Sequence, residues 1–296
     1  MDRFLELDPE YCDRETARFH IVPIPYEGTV CFQKGTARGP EAILEVSDQI
    51  EHMDEEFQIE YFKEGIATWP YLPPQFSPEA EINLIEQEIG ARDLFRPDRF
   101  PIFLGGEHSI TPPLVRVAAQ KYPNLSVLQF DAHSDLRNEF EPGGIWSHAC
   151  AMRRVLETTP HLVQVGIRSF SEEDPVACPD RVKKFITPNM IEDDFAGSLA
   201  AILAQLTDHV YITFDMDAFD PAIAPGVGTP EPGGLTWRQC TRILRAVFES
   251  GKTVVGADVM ETMPLNNGKG TEYVAARLVE KIITYATAKS ANRRIS

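Results

Sequence analysis

Short runs of apolar and β-branched residues alternate along this chain with longer amphipathic segments. The apolar runs, each of which predicts a strand, lie at 19–24, 100–105, 125–131, 161–167, 182–187, 210–215 and 253–259. The amphipathic segments, each of which predicts a helix, lie at about 39–52, 77–90, 109–121, 147–158, 193–207, 236–250 and 271–289. Nearly continuous apolar strands separated by helices are typical of a parallel sheet with both faces covered. The pattern therefore predicts an α/β fold.

The alternation is not interrupted by a linker, a charge block, an internal repeat or a low-complexity segment. The chain has 296 residues, of which 43% are hydrophobic, and this is enough for a sizeable core. Length alone is compatible with one large domain or with two ordinary ones. Because the alternation is unbroken, we expect a single domain over residues 1–296.

The charge of the chain narrows its possible partners. The formal net charge is −17 at pH 7, whereas a protein that binds nucleic acid or an anionic membrane needs a basic face. We therefore expect neither partner. The acidity mildly favours a cationic substrate, although it would equally keep any protein in solution.

The N-terminal segment and the cysteines indicate a cytoplasmic protein. The first residues are acidic where a secretory signal needs a basic start and an apolar run. No apolar stretch approaches the roughly 18 residues that a membrane span requires. The five cysteines are scattered and form no Cys-x-x-Cys pair, which fits neither a disulfide framework nor a zinc site.

Polar residues follow four of the predicted strands at the point where each strand ends. They are His108, then Asp131, His133 and Asp135, then Asp215, Asp217 and Asp220, and finally Glu261. Ligands of open parallel sheets bind at the carboxyl ends of the strands, so we expect the four clusters to meet in one crevice. Each cluster alone would be a solvated turn. Together, so many carboxylates repel one another unless cations lie between them.

The number of polar side chains predicts two metal ions. Six of these residues can bind a metal: His108, Asp131, His133, Asp135, Asp215 and Asp217. Imidazoles and carboxylates without a thiolate suit Mn²⁺ or a similar ion better than structural zinc, and Co²⁺, Ni²⁺ or Fe²⁺ could occupy the same groups. Paired ions lie about 3.5–4 Å apart and share a water that ionises near neutral pH.

Four blocks of the sequence resemble the signature blocks of the ureohydrolases, the family of arginase and agmatinase. They are "GGEHSI" at 105–110, "DAHSD" at 131–135, "TFDMDAFDP" at 213–221 and "GADVMETMP" at 256–264, in the family's order. The segment "GTARGPEAI" at 35–43 resembles the family's substrate-side loop. The resemblance implies an arginase-like α/β/α three-layer sandwich, with a mostly parallel sheet of about eight strands and the metal site at their carboxyl ends. It also implies a homo-oligomer, either a trimer or a hexamer.

The resemblance further implies two Mn²⁺ ions per subunit, with a role for each ligand. One ion would be held by His108, Asp131, Asp135 and Asp215, and the other by Asp131, His133, Asp215 and Asp217. A hydroxide that bridges the ions would attack the guanidinium carbon of the substrate and release urea and an amine.

Three residues receive catalytic or substrate-binding roles from the same resemblance. Asp135 would pass a proton to the leaving amine, and Glu261 would pair with the guanidinium group and orient it. His148 would contact the substrate region and shuttle protons to and from solvent, for which a near-neutral pKa would suit. Asp220 is expected only to cap its loop or to support a ligand.

The segment after "DAHSD" bears on the choice of substrate. It reads "DLRNEFEPGGIWSHA", with Arg137 where arginases have Asn, and "GTPEPGGLT" follows at 228–236. Both segments are more similar to bacterial and archaeal agmatinases, which implies hydrolysis of agmatine to putrescine and urea in polyamine biosynthesis. Acidic candidates for the free amine of agmatine are Glu231, Glu139 and Glu141. Arg137 either pairs with a neighbouring glutamate, lies outside the pocket or receives a substrate carboxylate.

Two alternatives remain open at this point. The first is the same chemistry on guanidinobutyrate, on another agmatine-like amine or on arginine, and Arg137 is its best support. The second is a metal-binding homologue that binds polyamines and hydrolyses nothing. The complete set of ligands, together with His148 and Glu261, argues against the second alternative.

Overall fold

The computed structural model describes residues 3–182 and 184–290, and in this part of the chain seven strands form one parallel sheet. The strands are β1 Phe19–Ile24, β2 Ile66–Thr68, β3 Phe100–Gly105, β4 Ser126–Phe130, β5 Leu162–Val165, β6 His209–Asp215 and β7 Thr253–Met260. Their spatial order is β2-β1-β3-β7-β6-β4-β5. The parallel α/β sheet is confirmed, with seven strands rather than about eight.

Helices of very different length connect the strands. They are α1 Gly39–Ser47, α2 Pro78–Arg92, α3 Thr111–Lys121, α4 Ala151–Val155, α5 Asp174–Ala177, α6 Pro179–Val182, α7 Pro188–Asp193, α8 Phe195–Gln205, α9 Trp237–Glu249 and α10 Gly270–Ser290. Helix α9 begins with a capping box in which the Thr236 side chain accepts from the backbone of Gln239. None of the helices in the described ranges is long and apolar enough to cross a membrane.

The strands bury side chains on both faces of the sheet. In β3, Ile102 and Leu104 belong to one hydrophobic core, and Phe103 between them belongs to the other. Helices α1, α9 and α10 contribute to the first core, and α2, α3 and α4 contribute to the second. Because successive residues of a strand point to opposite faces, the sheet is the middle of three layers.

Three sequence expectations differ from the structure. The segment at 182–187 forms no strand in its described residues, because lysine separates Val182, which ends α6, from Phe185 and Ile186. It contributes only an isolated bridge from Ile186 to Val165, and Lys183 lies outside the described residues. Strand β2 was missed because it has three residues at the sheet edge. The helix expected at 147–158 is a short 3₁₀ turn followed by α4.

Candidate metal centre and substrate cavity

The four strands that precede the polar clusters are neighbours in the sheet, in the order β3-β7-β6-β4. Val259 pairs with both Leu104 and Phe214, and Phe214 pairs with Phe130, so the four strands end at nearly the same level. The side chains at these ends therefore meet in one crevice, as the topology predicts. They are His108 after β3, Glu261 after β7, Asp215 and Asp217 at the end of β6, and Asp131 after β4.

One group of ligand atoms surrounds the imidazole of His108. Its Nδ1 lies 3.1 Å from Asp131 Oδ2, 3.2 Å from Asp215 Oδ2 and 3.3 Å from Asp135 Oδ2. All four side chains are buried. Three carboxylate oxygens and one imidazole nitrogen thus face a common point, which is the donor set that a divalent cation requires.

A second group shares one carboxylate with the first. His133 Nδ1 lies 2.9 Å from Asp217 Oδ2 and 3.6 Å from Asp131 Oδ1. The ligand atoms of His133, Asp131 and Asp217 lie within 4.8 Å of one another, and the same holds for His108, Asp131 and Asp215. Since Asp131 presents one oxygen to each group, its carboxylate is placed to bridge two ions.

A hydrogen-bonded chain behind His108 fixes which ring nitrogen is free. Thr213 Oγ1 lies 2.7 Å from His108 Nε2 and donates to Asp258 Oδ1 at 2.6 Å. Asp258 Oδ2 accepts from Tyr211 at 2.9 Å and from Thr111 at 3.0 Å. Thr213 therefore accepts the Nε2–H of His108, and Nδ1 is left as the nitrogen that faces the three carboxylates. Among the described residues this buried Nδ1 has no hydrogen-bond partner, which is the expected state of a metal ligand.

The charges of the two groups also fit a cation. Burial raises the pKa values of Asp135 and Asp215 well above the ordinary value, and the neighbouring carboxylates raise them further. Burial alone would lower the pKa of His133, but Asp217 and Asp131 raise it to about 12. In the protein without ions, bound protons therefore compensate the negative charge of the clustered carboxylates. Divalent ions would displace these protons and supply the compensating charge themselves.

Two carboxylates of the crevice stand on strained backbone. Asp135 has a φ of 53° and Glu261 a φ of 61°, in the left-handed region that residues other than glycine rarely adopt. Each such residue costs about 1–3 kcal/mol and persists only where its surroundings hold it. Asp135 O accepts from the N–H of Arg153 at 3.0 Å, and the N–H of Glu261 donates to Gly106 O at 2.8 Å.

Glu261 is joined directly to the first ligand group. Its Oε1 accepts from the backbone N–H of His108 at 2.8 Å, and its side chain lines the cavity described below. Burial raises the pKa of Glu261 well above the ordinary value, and the nearby Glu107 adds to this effect. A cationic group in the cavity would favour the ionised carboxylate and pair with it.

A glycine brings a second loop against the metal centre. A Cβ on Gly106 would lie 1.8 Å from the backbone oxygen of Tyr26, so another residue would push the two segments apart. The N–H of Glu107 donates to the same oxygen at 2.9 Å. The segment that follows Tyr26 and contains Thr29 and Cys31 is thereby held over the carboxyl end of β3.

His148 lies on this loop's side of the cavity. Its backbone N–H donates to Thr29 Oγ1 at 3.0 Å, and its Nδ1 lies 3.1 Å from the same oxygen. Its Nε2 lies 3.6 Å from Cys31 Sγ. Burial, followed by the positive charge of His133, lowers the pKa of His148 to about 4. The ring is therefore neutral at pH 7 and carries one N–H, whereas sequence reasoning favoured a pKa near neutrality.

The crevice opens into a cavity of about 230 Å³. Its floor contains members of both ligand groups, and Glu261 and His148 lie on its walls. Arg137 also lines it, with its guanidinium carbon 4.9 Å from the centre of the Phe140 ring. Within the described ranges Arg137 makes no ion pair with a carboxylate. Of its three possible roles, pairing with a glutamate and a place outside the pocket are therefore not observed.

The three acidic candidates for the far end of a substrate do not belong to the described lining of the cavity. Glu231, Glu139 and Glu141 are absent from the described residues that line the cavity. Glu231 instead approaches the metal centre, with its Oε1 3.8 Å from His133 Nε2. Asp220 behaves as expected, because it caps its loop by accepting from Ala222, Gly233 and Gly234.

Several residues of the site received no role from the sequence. Thr213, Asp258 and Glu107 all lie inside the quoted blocks, so a search for hydroxyl and carboxylate partners of the histidines could have found them. Thr29 and Cys31 lie on a loop without a periodic pattern, and only the three-dimensional contact with His148 reveals them.

Comparison with known proteins agrees with this geometry. A model of the arginase family matches residues 17–284. The chain is 36% identical over 270 residues to an N(1)-aminopropylagmatine ureohydrolase of Synechocystis sp., covering 90% of this chain and 88% of that protein. It is 32% identical over 289 residues to an agmatinase of Bacillus cereus, and the match covers 95% of this chain and 94% of that protein. Its structure is similar to the crystal structure of an agmatine ureohydrolase of Thermoplasma volcanium, with a TM-score of 0.84 and 28% sequence identity. The match covers 100% of this chain and 97% of that chain.

Proposed function

The chain belongs to the arginase family, and we propose that it hydrolyses the guanidinium group of agmatine to give putrescine and urea. The observation that carries this proposal is the position of the two ligand groups. They share Asp131, and His108, Asp215 and His133 from them line a cavity that Glu261 and His148 also line. The relatives described above support it, since their names specify agmatine or an aminopropyl derivative of agmatine as the substrate.

We propose that two Mn²⁺ ions occupy the two groups. The ligands of the first would be His108, Asp131, Asp135 and Asp215, and those of the second would be Asp131, His133, Asp215 and Asp217. The free Nδ1 of His108 and the excess of buried carboxylates support this occupancy. When bound, such an ion pair supplies a water that ionises near neutral pH and a positive charge beside the reacting carbon.

The side chains of the protein would bind the substrate and move its protons. Glu261 would pair with the guanidinium and hold its carbon above the floor of the cavity, an arrangement that desolvation strengthens. Asp135 would pass a proton to the leaving amine. His148 would exchange protons between the cavity and solvent.

The far end of the substrate is the less determined part of the proposal. N(1)-aminopropylagmatine is a second candidate, because relatives at 36–37% identity are named as its ureohydrolases. Arginine and guanidinobutyrate carry a carboxylate, and Arg137 without an ion pair is the feature that favours them.

Urea release from these four compounds, measured side by side with Mn²⁺-loaded protein, tests the proposal. We expect kcat/KM to be highest for agmatine or its aminopropyl derivative. A protein that releases urea only from guanidinobutyrate or arginine would keep the reaction and lose the substrate. Release from none of the four, combined with tight binding of agmatine at equilibrium, would instead support a homologue that binds polyamines without hydrolysing them.

The proposal includes a homo-oligomer, a trimer or a hexamer, in the cytoplasm. The family resemblance supports the assembly. The five cysteines, which are all free thiols, support a reducing compartment. Light scattering of the purified protein tests the assembly.

A further inference from the structure

A buried carboxylate and a threonine hold His148 from the side opposite the cavity. Glu107 and Thr29 are both fully buried. Glu107 Oε2 accepts from the backbone N–H of Thr29 at 2.7 Å, and Oε1 accepts from the hydroxyls of Thr29 and Ser109 at 2.6 Å each. A chain of hydrogen bonds therefore runs from Glu107 through the hydroxyl of Thr29 to Nδ1 of His148.

The donors and acceptors of this chain determine where its protons lie. A threonine hydroxyl has one proton and two lone pairs. The backbone N–H of His148 can only donate, and it occupies one lone pair of Thr29 Oγ1. The hydroxyl proton of Thr29 points to Glu107, because both oxygens of this carboxylate act as acceptors, toward the backbone N–H of Thr29 and the hydroxyl of Ser109. The remaining lone pair of Thr29 faces Nδ1 and can be satisfied only by an N–H.

We propose that Thr29, held by Glu107, is a positioning residue that keeps the proton of neutral His148 on Nδ1 and leaves the lone pair of Nε2 facing the cavity. This inference rests on the proposed function and deepens it, because it names the atom through which His148 would exchange protons. Nε2 faces Cys31, which lines the same cavity. In the other tautomer Nε2 would carry a proton toward the cavity and could not accept one from it.

The tautomer can be observed without any turnover. We would label the histidines of the full-length protein with ¹⁵N, replace paramagnetic Mn²⁺ by diamagnetic Mg²⁺, and assign the ring signals of His148 by comparison with His148→Gln. The wild-type spectrum should show the proton on Nδ1. Thr29→Ser should preserve this tautomer, and Thr29→Val should lose it or mix it with the Nε2–H form. A wild-type ring protonated on Nε2 would overturn the proposal even if every variant failed to fold.

Kinetics provide a second readout that separates positioning from general damage. Thr29→Val should lower kcat for agmatine by about tenfold, part of the 10²–10⁴-fold that a positioned proton-transfer group contributes, with KM changed less than twofold. Thr29→Ser should restore most of kcat. The matched control is Thr284→Val, which removes a fully buried hydroxyl that donates to the Glu280 carboxylate within α10 instead. It should keep the tautomer and kcat.

The outcomes distinguish this inference from the proposed function. If the protein releases no urea from any guanidino compound, the proposed function fails and the tautomer of His148 is still measured. If urea is released but Thr29→Val retains both the Nδ1–H tautomer and the wild-type kcat, the function stands and the positioning role of Thr29 is wrong.

Discussion

A carboxylate, a threonine and a histidine form a hydrogen-bonded chain at two places in this protein. In each place a carboxylate accepts a hydrogen bond from a threonine hydroxyl, and the same hydroxyl oxygen accepts a hydrogen bond from the N–H of an imidazole. The free nitrogen of that imidazole points into the crevice. The two chains are Asp258–Thr213–His108 at the metal centre and Glu107–Thr29–His148 at the cavity wall.

The two chains differ in what surrounds them. Thr213 and Asp258 lie within the central strands β6 and β7, and His108 is 1% exposed. Thr29 lies on a loop and His148 begins a short helical turn, with its free nitrogen toward an open cavity. The first imidazole can therefore hold an ion at a fixed point, and the second can exchange protons with solvent. Between these two imidazoles, burial rather than residue type distinguishes the proposed metal ligand His108 from the proposed proton carrier His148.

Removal of the shared carboxylate at the buried end should have the largest effect. Asp131→Ala should lose both metal ions, because Asp131 presents an oxygen to each group. Loss of several kcal/mol of charge stabilisation corresponds to a decrease in kcat/KM of about 1,000-fold or more. Metal content by mass spectrometry and urea release measure the two effects. Asp220→Ala, which removes a carboxylate that only caps its loop, should retain its metal; full metal content in Asp131→Ala would refute the bridging role.

The metal centre and the cavity wall also differ in how well the sequence predicts them. His108, Asp131 and Asp215 were found because strands of a parallel sheet end together, and topology alone brings such positions into contact. The cavity wall was predicted less well. For Arg137 three roles were left open, and its side chain lies over Phe140, a contact that was not among them; Cys31 was not expected at all. Loop conformation depends on close approaches such as that of Gly106 to Tyr26, which no periodic pattern encodes.

Glu261 joins the two regions, and its replacement should have the next largest effect. Glu261→Gln keeps the shape of the side chain but removes the charge partner of a buried cation. The loss of transition-state stabilisation should be about 2–5 kcal/mol, and kcat/KM for agmatine should fall accordingly. Metal content should be unchanged. The matched control is Glu280→Gln, since Glu280 is also buried with a raised pKa but lies on α10, where it accepts from Thr284. An unchanged kcat/KM in Glu261→Gln would remove this carboxylate from the site.

The buried chain behind His108 can be tested through metal affinity alone. Thr213→Val removes the acceptor of the Nε2–H and should weaken Mn²⁺ binding by about 10- to 100-fold, the usual effect of losing a partner behind a metal ligand. Thr213→Ser should restore it. Titration of Mn²⁺ followed by electron paramagnetic resonance of the free ion measures the affinity. Thr284→Val is the control, because Thr284 is a buried threonine that donates to Glu280 far from the centre. Equal affinity in Thr213→Val and wild type would contradict the comparison between the two chains.

At the open end the smallest effect is expected, from Arg137. Its guanidinium lies over the Phe140 ring, a contact worth about 0.5–1 kcal/mol at an exposed site. If that contact is its whole role, Arg137→Gln should change kcat/KM for agmatine less than about fivefold, and it should leave the ranking of agmatine over guanidinobutyrate as it is. The two substrates assayed on the same preparation decide this. If kcat/KM falls only for guanidinobutyrate, Arg137 binds a substrate carboxylate. The cavity wall rather than the metal centre would then determine the substrate.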